Sequence, residues 1–340
     1  MTVTSSNMCG SSPSRVPGGD SVLYTCRPRV PFRFDGEARE VRIRGGLEGL
    51  PGAELVERDG AWETELEVAA DVRAVYWFGL DGQDDWLKWL PDPSNPSRYV
   101  YPAGLHFTGD REVVASMFEG PSARQLTWTV ERDVPRGRVR SEELDGRRVW
   151  LYEPPAPAES GLLLLDGHEY TALAKTPTVL DNLIAESLIP PVAAVLPDSP
   201  ETQRRFRELG GDPEFLTWCG DRLLPWSGIA APPARMVVAG SSMGGLASTW
   251  FASQRSDLFG RAIVQSGGFP GMPVVVPPGL PLRFYLDVGV LEDQLLESTR
   301  QLRDDLRANG YDVTYQEYPG GHDFFWWGET IADGLIALLG

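Results

Sequence analysis

The feature that most constrains the fold is the run Gly-Ser-Ser-Met-Gly-Gly at positions 240–245. It follows a short apolar stretch at 236–239 and precedes a helix-like segment at 246–254, so it predicts a sharp turn from a strand into a helix. A turn this tight forces its central residue, Ser242, into a strained backbone conformation, and the neighbouring glycines leave room for it. The Ser242 hydroxyl is therefore expected to stand exposed above a sheet, at the positive end of a helix dipole.

Predicted strands and helices alternate through the second part of the chain. One helix is expected from Thr176-Pro177 onward, and another over 294–309, ending before Gly310. The predicted strands are apolar or β-branched runs at 148–152, 161–165, 192–196, 236–239, 262–265, 282–288 and 313–318. This alternation predicts a doubly wound, mostly parallel sheet with helices on both faces. Functional residues of such a sheet lie at the carboxyl ends of its strands.

The first part of the chain has a different pattern, in which short alternating stretches are broken by turn residues. These predict a small β-sandwich over residues 21–135, because alternate side chains of each strand would face a core. Residues 1–20 are rich in Ser, Gly and Pro and are expected to form a disordered tail. The charged stretch at 131–143 suits a linker or a strand exchange between domains. A second domain, built on the mostly parallel sheet, is then expected at 136–340.

Charge and composition exclude several classes of partner. The 340 residues have 42% hydrophobic content, enough for a sizeable core, and a net charge of −17. This negative charge makes nucleic acid and anionic membranes poor partners, and no apolar run approaches the ~20 residues of a membrane helix. The cysteines, Cys9, Cys26 and Cys219, are an odd set without C-x-x-C spacing, so neither a disulfide framework nor a zinc site is expected. No other metal and no cofactor is expected. The first twenty residues show no secretory leader pattern, so the chain is expected in the cytoplasm.

The sequence contains three histidines, His106, His168 and His322, as candidates for a general base. His322 lies in a glycine loop directly after the last predicted strand, where it can converge with the serine turn, so it is the expected base. His168 follows an early strand. His106 has no other signal beside it and is expected to be structural. An acid that orients the base is expected after the strand at 282–288.

Three acids lie at or after that strand. Glu292 is preferred because its loop position lets a carboxylate reach the histidine loop, whereas Asp287 falls within the strand and its direction is open. Asp293 is the rival. An oxyanion that forms at the serine also needs two backbone N–H donors. We expect these from Met243, the residue after the serine, and from His168, in the loop after an early strand.

Several motifs of the chain form an ordered set. They are Pro91-Asp92-Pro93-Ser94-Asn95-Pro96, Leu165-Asp166-Gly167, Leu180-Asp181-Asn182-Leu183-Ile184-Ala185-Glu186, Ile189-Pro190-Pro191, Arg205-Phe206-Arg207-Glu208-Leu209, Leu224-Pro225-Trp226, the serine turn and Gly320-Gly321-His322-Asp323. Together they resemble the enterochelin (ferric enterobactin) esterase family. The resemblance implies an immunoglobulin-like domain before an α/β-hydrolase domain. It also implies a Ser-acid-His mechanism that matches Ser242, Glu292 and His322.

The same resemblance implies where a substrate binds. In related enzymes an arginine of the Arg-x-x-Glu-Leu stretch lies near the substrate, which here is Arg205. Its charge would attract an anionic iron–catecholate complex, and an exposed helix-surface arginine is the alternative. Asp166 and Trp326 are the other expected substrate-binding residues. The chain departs from the family at His168-Glu169-Tyr170, after the Asp-Gly pair, and at Phe324-Phe325, after the His-Asp pair.

We therefore expect a serine esterase that hydrolyses the ester bonds of a catecholate siderophore trilactone and releases iron inside the cell. One alternative is a feruloyl or other aryl-ester hydrolase whose first domain binds carbohydrate on an exposed aromatic platform. That platform would consist of Trp62, Trp77, Trp86 and Trp89. Another alternative is a non-catalytic carrier of an iron–siderophore complex, which would need a broken catalytic set.

Overall fold

The computed structural model describes residues 27–340 together with two short strands, Ser14–Arg15 (β1) and Val22–Leu23 (β2), which pair antiparallel. Apart from β1, the predicted tail at 1–20 lies outside the described residues.

The chain forms two compact units. The first comprises Met1–Gln125 with two later segments, Gly289–Asp293 and Glu317–Asp323. The second comprises Leu126–Val288, Gln294–Gln316 and Phe324–Gly340. The boundary expected from the sequence was 135/136, and neither later segment was expected in the first domain.

Besides the β1–β2 pair, the described part of the first unit contains two small antiparallel sheets. Its further strands are Arg29–Phe34 (β3), Val41–Gly45 (β4), Val56–Arg58 (β5), Ala61–Glu67 (β6), Arg73–Leu80 (β7), Arg98–Tyr101 (β8) and Val113–Glu119 (β9). They are ordered β3-β6-β5 in one sheet and β4-β7-β9-β8 in the other. Every second side chain of β3 is buried, and the Phe32 ring meets the Tyr76 ring of β7 edge to face, with 5.3 Å between ring centroids. The two sheets share one apolar core, which confirms a small β domain. Its immunoglobulin-like type stays a prediction.

The second unit is built on an eight-stranded sheet. Its strands are Arg138–Leu144 (β10), Arg147–Glu153 (β11), Ser160–Leu164 (β12), Val192–Pro197 (β13), Met236–Ser241 (β14), Arg261–Gln265 (β15), Arg283–Gly289 (β16) and Asp312–Tyr318 (β17). The order across the sheet is β10-β11-β13-β12-β14-β15-β16-β17. The pairs from β13 through β12, β14 and β15 to β16 are all parallel, which confirms the predicted mostly parallel sheet. Strands β12 and β14 are buried along their whole length, as expected at the centre of such a sheet.

Strand β10 corrects the interpretation of 131–143 as a linker or strand exchange. It pairs antiparallel with β11 at the edge of the sheet, and most of its residues are exposed. An edge strand with two wet faces needs no apolar alternation, so its charged sequence concealed it. A signal was present in Asp145-Gly146, which join β10 to β11 with φ of 51° and 76°. Asp-Gly is a pair favoured in tight hairpin turns that need positive φ at both central positions.

Helices connect the strands of the second unit. They are Gly167–Ala172 (α1), Thr176–Ala185 (α2), Thr202–Leu209 (α3), Pro213–Thr217 (α4), Leu224–Ser227 (α5), Met243–Gln254 (α6), Asp293–Ala308 (α7) and Phe324–Leu339 (α8). A π-helical segment spans Trp218–Leu223 and a short 3-10 helix spans Pro233–Arg235. The first unit contains a 3-10 helix at Trp86–Lys88. Within the described part of the chain, no helix is both long enough and apolar enough to cross a membrane.

Candidate active site

Ser242 occupies the strained turn between β14 and α6. Its φ of 56° and ψ of −128° lie outside the regions that side-chain-bearing residues normally adopt, which confirms the predicted backbone conformation. A Cβ on Gly240 would lie 2.7 Å from the carbonyl carbon of Gly244, so the turn can close only with glycine at that position. The Ser242 N–H donates to the Gln265 carbonyl at 2.8 Å. The half-buried serine is thereby held at the carboxyl end of β14.

The two predicted oxyanion donors both lie in first helical turns. Met243 is the first residue of α6, and His168 is the second residue of α1. The N–H groups of a first turn have no partner within their own helix and point toward its N-terminus. The Leu165 N–H donates to the Ala239 carbonyl at 2.9 Å, which fixes the start of the loop between β12 and α1 beside the end of β14. This placement is compatible with the predicted pair of donors, whose role stays a prediction.

Asp166 and Arg205 form a buried ion pair beside the serine turn. Arg205 of α3 is 6% exposed, and its Nε and Nη2 donate to Asp166 Oδ1 and Oδ2 at 2.8 and 2.7 Å. Arg205 Nη2 also lies 3.4 Å from the Ser241 carbonyl oxygen, and Ser199 Oγ donates to Asp166 at 2.6 Å. The alternative of an exposed helix-surface arginine is therefore wrong. Because each charge neutralises the other away from solvent, the contacts favour a role in bracing the turn.

The third predicted substrate-binding residue lies in the interior. Trp326 of α8 is 1% exposed, and its ring packs against that of Phe325 with 5.7 Å between centroids. This burial favours a structural role.

His106, which was expected to be structural, is half-buried. Its ring meets the Phe107 ring edge to face, with 4.8 Å between ring centroids.

The His168 side chain belongs to a cationic and aromatic cluster that the sequence analysis missed. Its ring stacks on Trp150 at 5.7 Å between centroids, and Arg148 Nη2 lies 3.1 Å from His168 Nδ1. Since arginine only donates, Nδ1 accepts, and the neutral ring carries its proton on Nε2. Asp198 accepts from both Arg148 Nε and Trp150 Nε1. Burial raises the pKa of Asp198 above its ordinary value, and the bond from Arg148 opposes that shift. Asp198 directly follows β13, a position that the strand-end rule could have singled out.

His322 and Glu292 are in direct contact within the first unit. Glu292 Oε2 lies 2.5 Å from His322 Nδ1, while Glu292 Oε1 accepts from the Tyr318 hydroxyl at 2.8 Å and from the Gly289 N–H at 2.7 Å. The Glu292 side chain is 1% exposed and that of His322 is 40% exposed. A buried carboxylate on Nδ1 orients the imidazole and leaves Nε2 as the nitrogen that can accept a proton.

The other two candidate acids have different surroundings. Asp293 is exposed at the start of α7. Asp287 is buried within β16, where its Oδ2 accepts from Gln265 Nε2 at 3.3 Å. The geometry therefore favours Glu292 as the acid that orients His322, in agreement with the preference from sequence.

The chain is similar in sequence and in fold to proteins that are already known. A family model described as a putative esterase matches residues 144–338. The iron(III) enterobactin esterase of Dickeya dadantii is 31% identical, with 86% of this chain and 79% of that protein covered. The crystal structure of the enterochelin esterase of Shigella flexneri aligns with a TM-score of 0.73 at 23% identity over 91% of this chain and 92% of that one. A structure of the Shigella flexneri enzyme in the presence of enterobactin aligns with a TM-score of 0.72 at 21% identity over the same shares. At such identities the two structures establish the fold.

Proposed function

The chain belongs to the enterobactin esterase family and is a carboxylic-ester hydrolase, and we propose that its substrate is a catecholate siderophore trilactone of the enterobactin type, cleaved to release iron inside the cell. The observation that carries this proposal is the match, over 86% of the chain, to a relative named for that activity. The strained Ser242 and the His322–Glu292 pair supply the chemistry that such a reaction needs.

Ser242, His322 and Glu292 carry the proposed mechanism. His322 Nε2 takes the proton of the Ser242 hydroxyl as Oγ forms a bond to the ester carbonyl carbon. The N–H groups of Met243 and His168 hold the resulting oxyanion. The imidazolium then gives its proton to the leaving alkoxide as the ester C–O bond breaks. Water, deprotonated by His322, attacks the acyl-enzyme by the same steps and regenerates Ser242. Glu292 keeps the imidazole in one tautomer and stabilises its charged form.

The Arg148, Trp150 and His168 cluster is the proposed contact for an aromatic, anionic arm of the substrate. The Arg148 side chain is 47% exposed, and its guanidinium lies 5.3 Å from the centroid of the Trp150 ring. Flat aromatic surfaces stack with aryl groups, and a guanidinium attracts anionic oxygen. In a chain with a net charge of −17, such a local cationic group matters for the approach of an iron–catecholate complex. Arg148 pairs with Asp198 but stays half exposed, whereas Arg205 is buried against Asp166 and is less suited to this task.

The experiment that tests the proposal is product analysis by mass spectrometry. The purified chain is incubated with iron-loaded and iron-free catecholate trilactones and with feruloyl esters, and Ser242→Ala serves as the inactive control. Ring-opened trilactone that forms with the wild type alone supports the proposal. Cleavage of feruloyl esters without any cleavage of trilactones would support the aryl-ester alternative. Binding of the iron complex without cleavage of any ester would support the carrier.

A further inference from the structure

The loop that carries His322 is fastened by backbone hydrogen bonds from two directions within the first unit. On one side, the Arg73 N–H of β7 donates to the Pro319 carbonyl at 3.1 Å. On the other, the loop that carries Glu292 provides two donors. The Val290 N–H donates to the Tyr318 carbonyl at 2.9 Å, and the Leu291 N–H donates to the Gly320 carbonyl at 3.0 Å. The histidine loop is therefore held by the β-sandwich as well as by the segment that supplies Glu292.

Asp323, the residue after His322, is the side-chain anchor of this loop. It is 4% exposed, and its carboxyl group faces the Val75 N–H of β7 and the Tyr101 hydroxyl of β8, two donors that favour its ionised form. Its Oδ2 is buried without a hydrogen-bond partner among the described residues and lies 3.5 Å from the place that a Cβ on Gly46 would take. Both partners of the carboxyl group belong to the sandwich.

The anchor acts where the chain would otherwise be free to move. Gly320 and Gly321 precede His322, and glycine restricts the backbone less than any other residue. On the imidazole, Glu292 holds Nδ1, but that contact fixes only the ring. The backbone of His322 on its C-terminal side is fixed through Asp323. An imidazole must be placed within a fraction of an ångström to accept a proton efficiently.

We propose that Asp323 is a positioning residue for His322, and that the β-sandwich takes part in catalysis by holding the histidine loop through Val75 and Tyr101. This inference rests on the proposed role of His322 as the base. It gives the first unit a task in the reaction that is separate from any contact with substrate.

The sandwich offers a matched control for this idea. Tyr76 of β7 donates from its hydroxyl to Asp92 Oδ2 at 2.7 Å, in another buried tyrosine–carboxylate bond of the same unit. A bond of this kind stabilises the domain whether or not it touches the histidine loop. Loss of either tyrosine hydroxyl should therefore affect stability, whereas only loss of the Tyr101 hydroxyl should affect the placement of His322.

The test compares Asp323→Ala, Asp323→Asn, Tyr101→Phe and Tyr76→Phe in the full chain. Rates are measured with the trilactone and with a 4-nitrophenyl ester. The His322 Nδ1 proton, shared with Glu292, is followed by its downfield NMR resonance in the resting enzyme. Because a misplacement of about 1 Å can cost on the order of 100-fold, we expect Asp323→Ala to lower kcat by roughly 10- to 100-fold with KM changed by less than about twofold. Asp323→Asn, which keeps an oxygen for both donors, should restore most of the rate and leave the resonance near its wild-type position.

The outcomes separate this inference from its alternatives. Tyr101→Phe should lower kcat and shift or broaden the resonance, while Tyr76→Phe should leave both at wild-type values even where it lowers the melting temperature. Equal loss of kcat in the two tyrosine variants, or unchanged kcat and resonance in Tyr101→Phe, would overturn the positioning role. If Asp323→Ala fails to fold, Tyr101→Phe and Asp323→Asn decide the question. A wild type that cleaves the 4-nitrophenyl ester but no trilactone would refute the proposed substrate and leave this test intact.

Discussion

Glu292 Oε2 lies 2.5 Å from Nδ1 of His322, although thirty positions separate the two residues in the chain. We predict that Glu292→Gln lowers kcat by about 10³- to 10⁴-fold, because an amide neither stabilises the imidazolium nor selects its tautomer. Asp293→Asn is the control, since Asp293 is exposed at the start of α7 and should be dispensable. Steady-state kinetics of the two variants decide which of the two acids orients His322. A larger loss in Asp293→Asn would reverse the assignment.

Replacement of Ser242 should separate activity from stability. Without the hydroxyl, turnover should fall by about 10⁵- to 10⁶-fold in both Ser242→Ala and Ser242→Gly. Because φ is 56° and ψ is −128° at this residue, glycine relieves the backbone strain that alanine retains. We expect Ser242→Gly to be about 1 kcal/mol more stable than Ser242→Ala in urea unfolding. Equal stability of the two variants would show that the turn stores no strain.

Much of the fold could be predicted because its signals are local. The central strands β12 and β14 are buried on both faces, so each contains an unbroken apolar run, at 162–164 and at 236–239. The serine turn combines a strand, a glycine pair and a helix within some twenty residues, and the required φ at Ser242 follows from that spacing alone. His322 and Glu292 could be chosen because each lies in the short loop that follows a predicted strand, β17 for His322 and β16 for Glu292.

The rest depended on pairings that leave no pattern in the sequence. Asp166 and Arg205 are 39 positions apart, and nothing local shows that two charges will be buried together. The assignment of 289–293 and 317–323 to the first unit rests on backbone hydrogen bonds such as that from Arg73 to Pro319, which any residue other than proline could donate.

The Asp166–Arg205 pair should contribute to stability more than to substrate affinity. Removing one partner leaves a buried charge without compensation, so Arg205→Ala or Asp166→Ala should cost about 3–5 kcal/mol of unfolding free energy. The double variant should cost less than the sum of the two. The exposed pair Arg222–Asp145, with 3.2 Å between charged atoms, is the control, and Arg222→Ala should cost less than about 1 kcal/mol. A rise in KM without loss of stability in Arg205→Ala would instead restore its predicted role at the substrate.

Arg148 should affect substrate affinity more than turnover. We expect Arg148→Ala to raise KM for an iron–catecholate complex by about tenfold, the equivalent of one charge-assisted hydrogen bond, with kcat nearly unchanged. The effect should shrink for an uncharged 4-nitrophenyl ester and at high salt. Arg235→Ala is the matched control, because Arg235 is similarly exposed and is also ion-paired, to Glu159 at 2.9 Å. An equal rise in KM for both variants would show that the effect comes from the change in net charge and not from a contact between Arg148 and the substrate.

The Asp323 carboxyl group should make stability depend on pH in an unusual direction. Burial raises its pKa to about 7 from an ordinary 3.8; His322 opposes this shift, Glu292 adds to it, and the hydrogen bonds from Val75 and Tyr101 oppose it. The buried Tyr99 phenol also faces the group.

Between pH 3.8 and about 7 the folded state therefore binds more protons at Asp323 than the unfolded state does. Its contribution to stability is complete below pH 3.8 and is lost as the pH rises through about 7. Asp323→Asn lacks this titration, so its melting temperature relative to the wild type should rise between pH 4.5 and pH 7.5, as measured by calorimetry at about ten pH values. A constant difference across that range would show that the carboxyl group is already ionised in the folded protein at low pH.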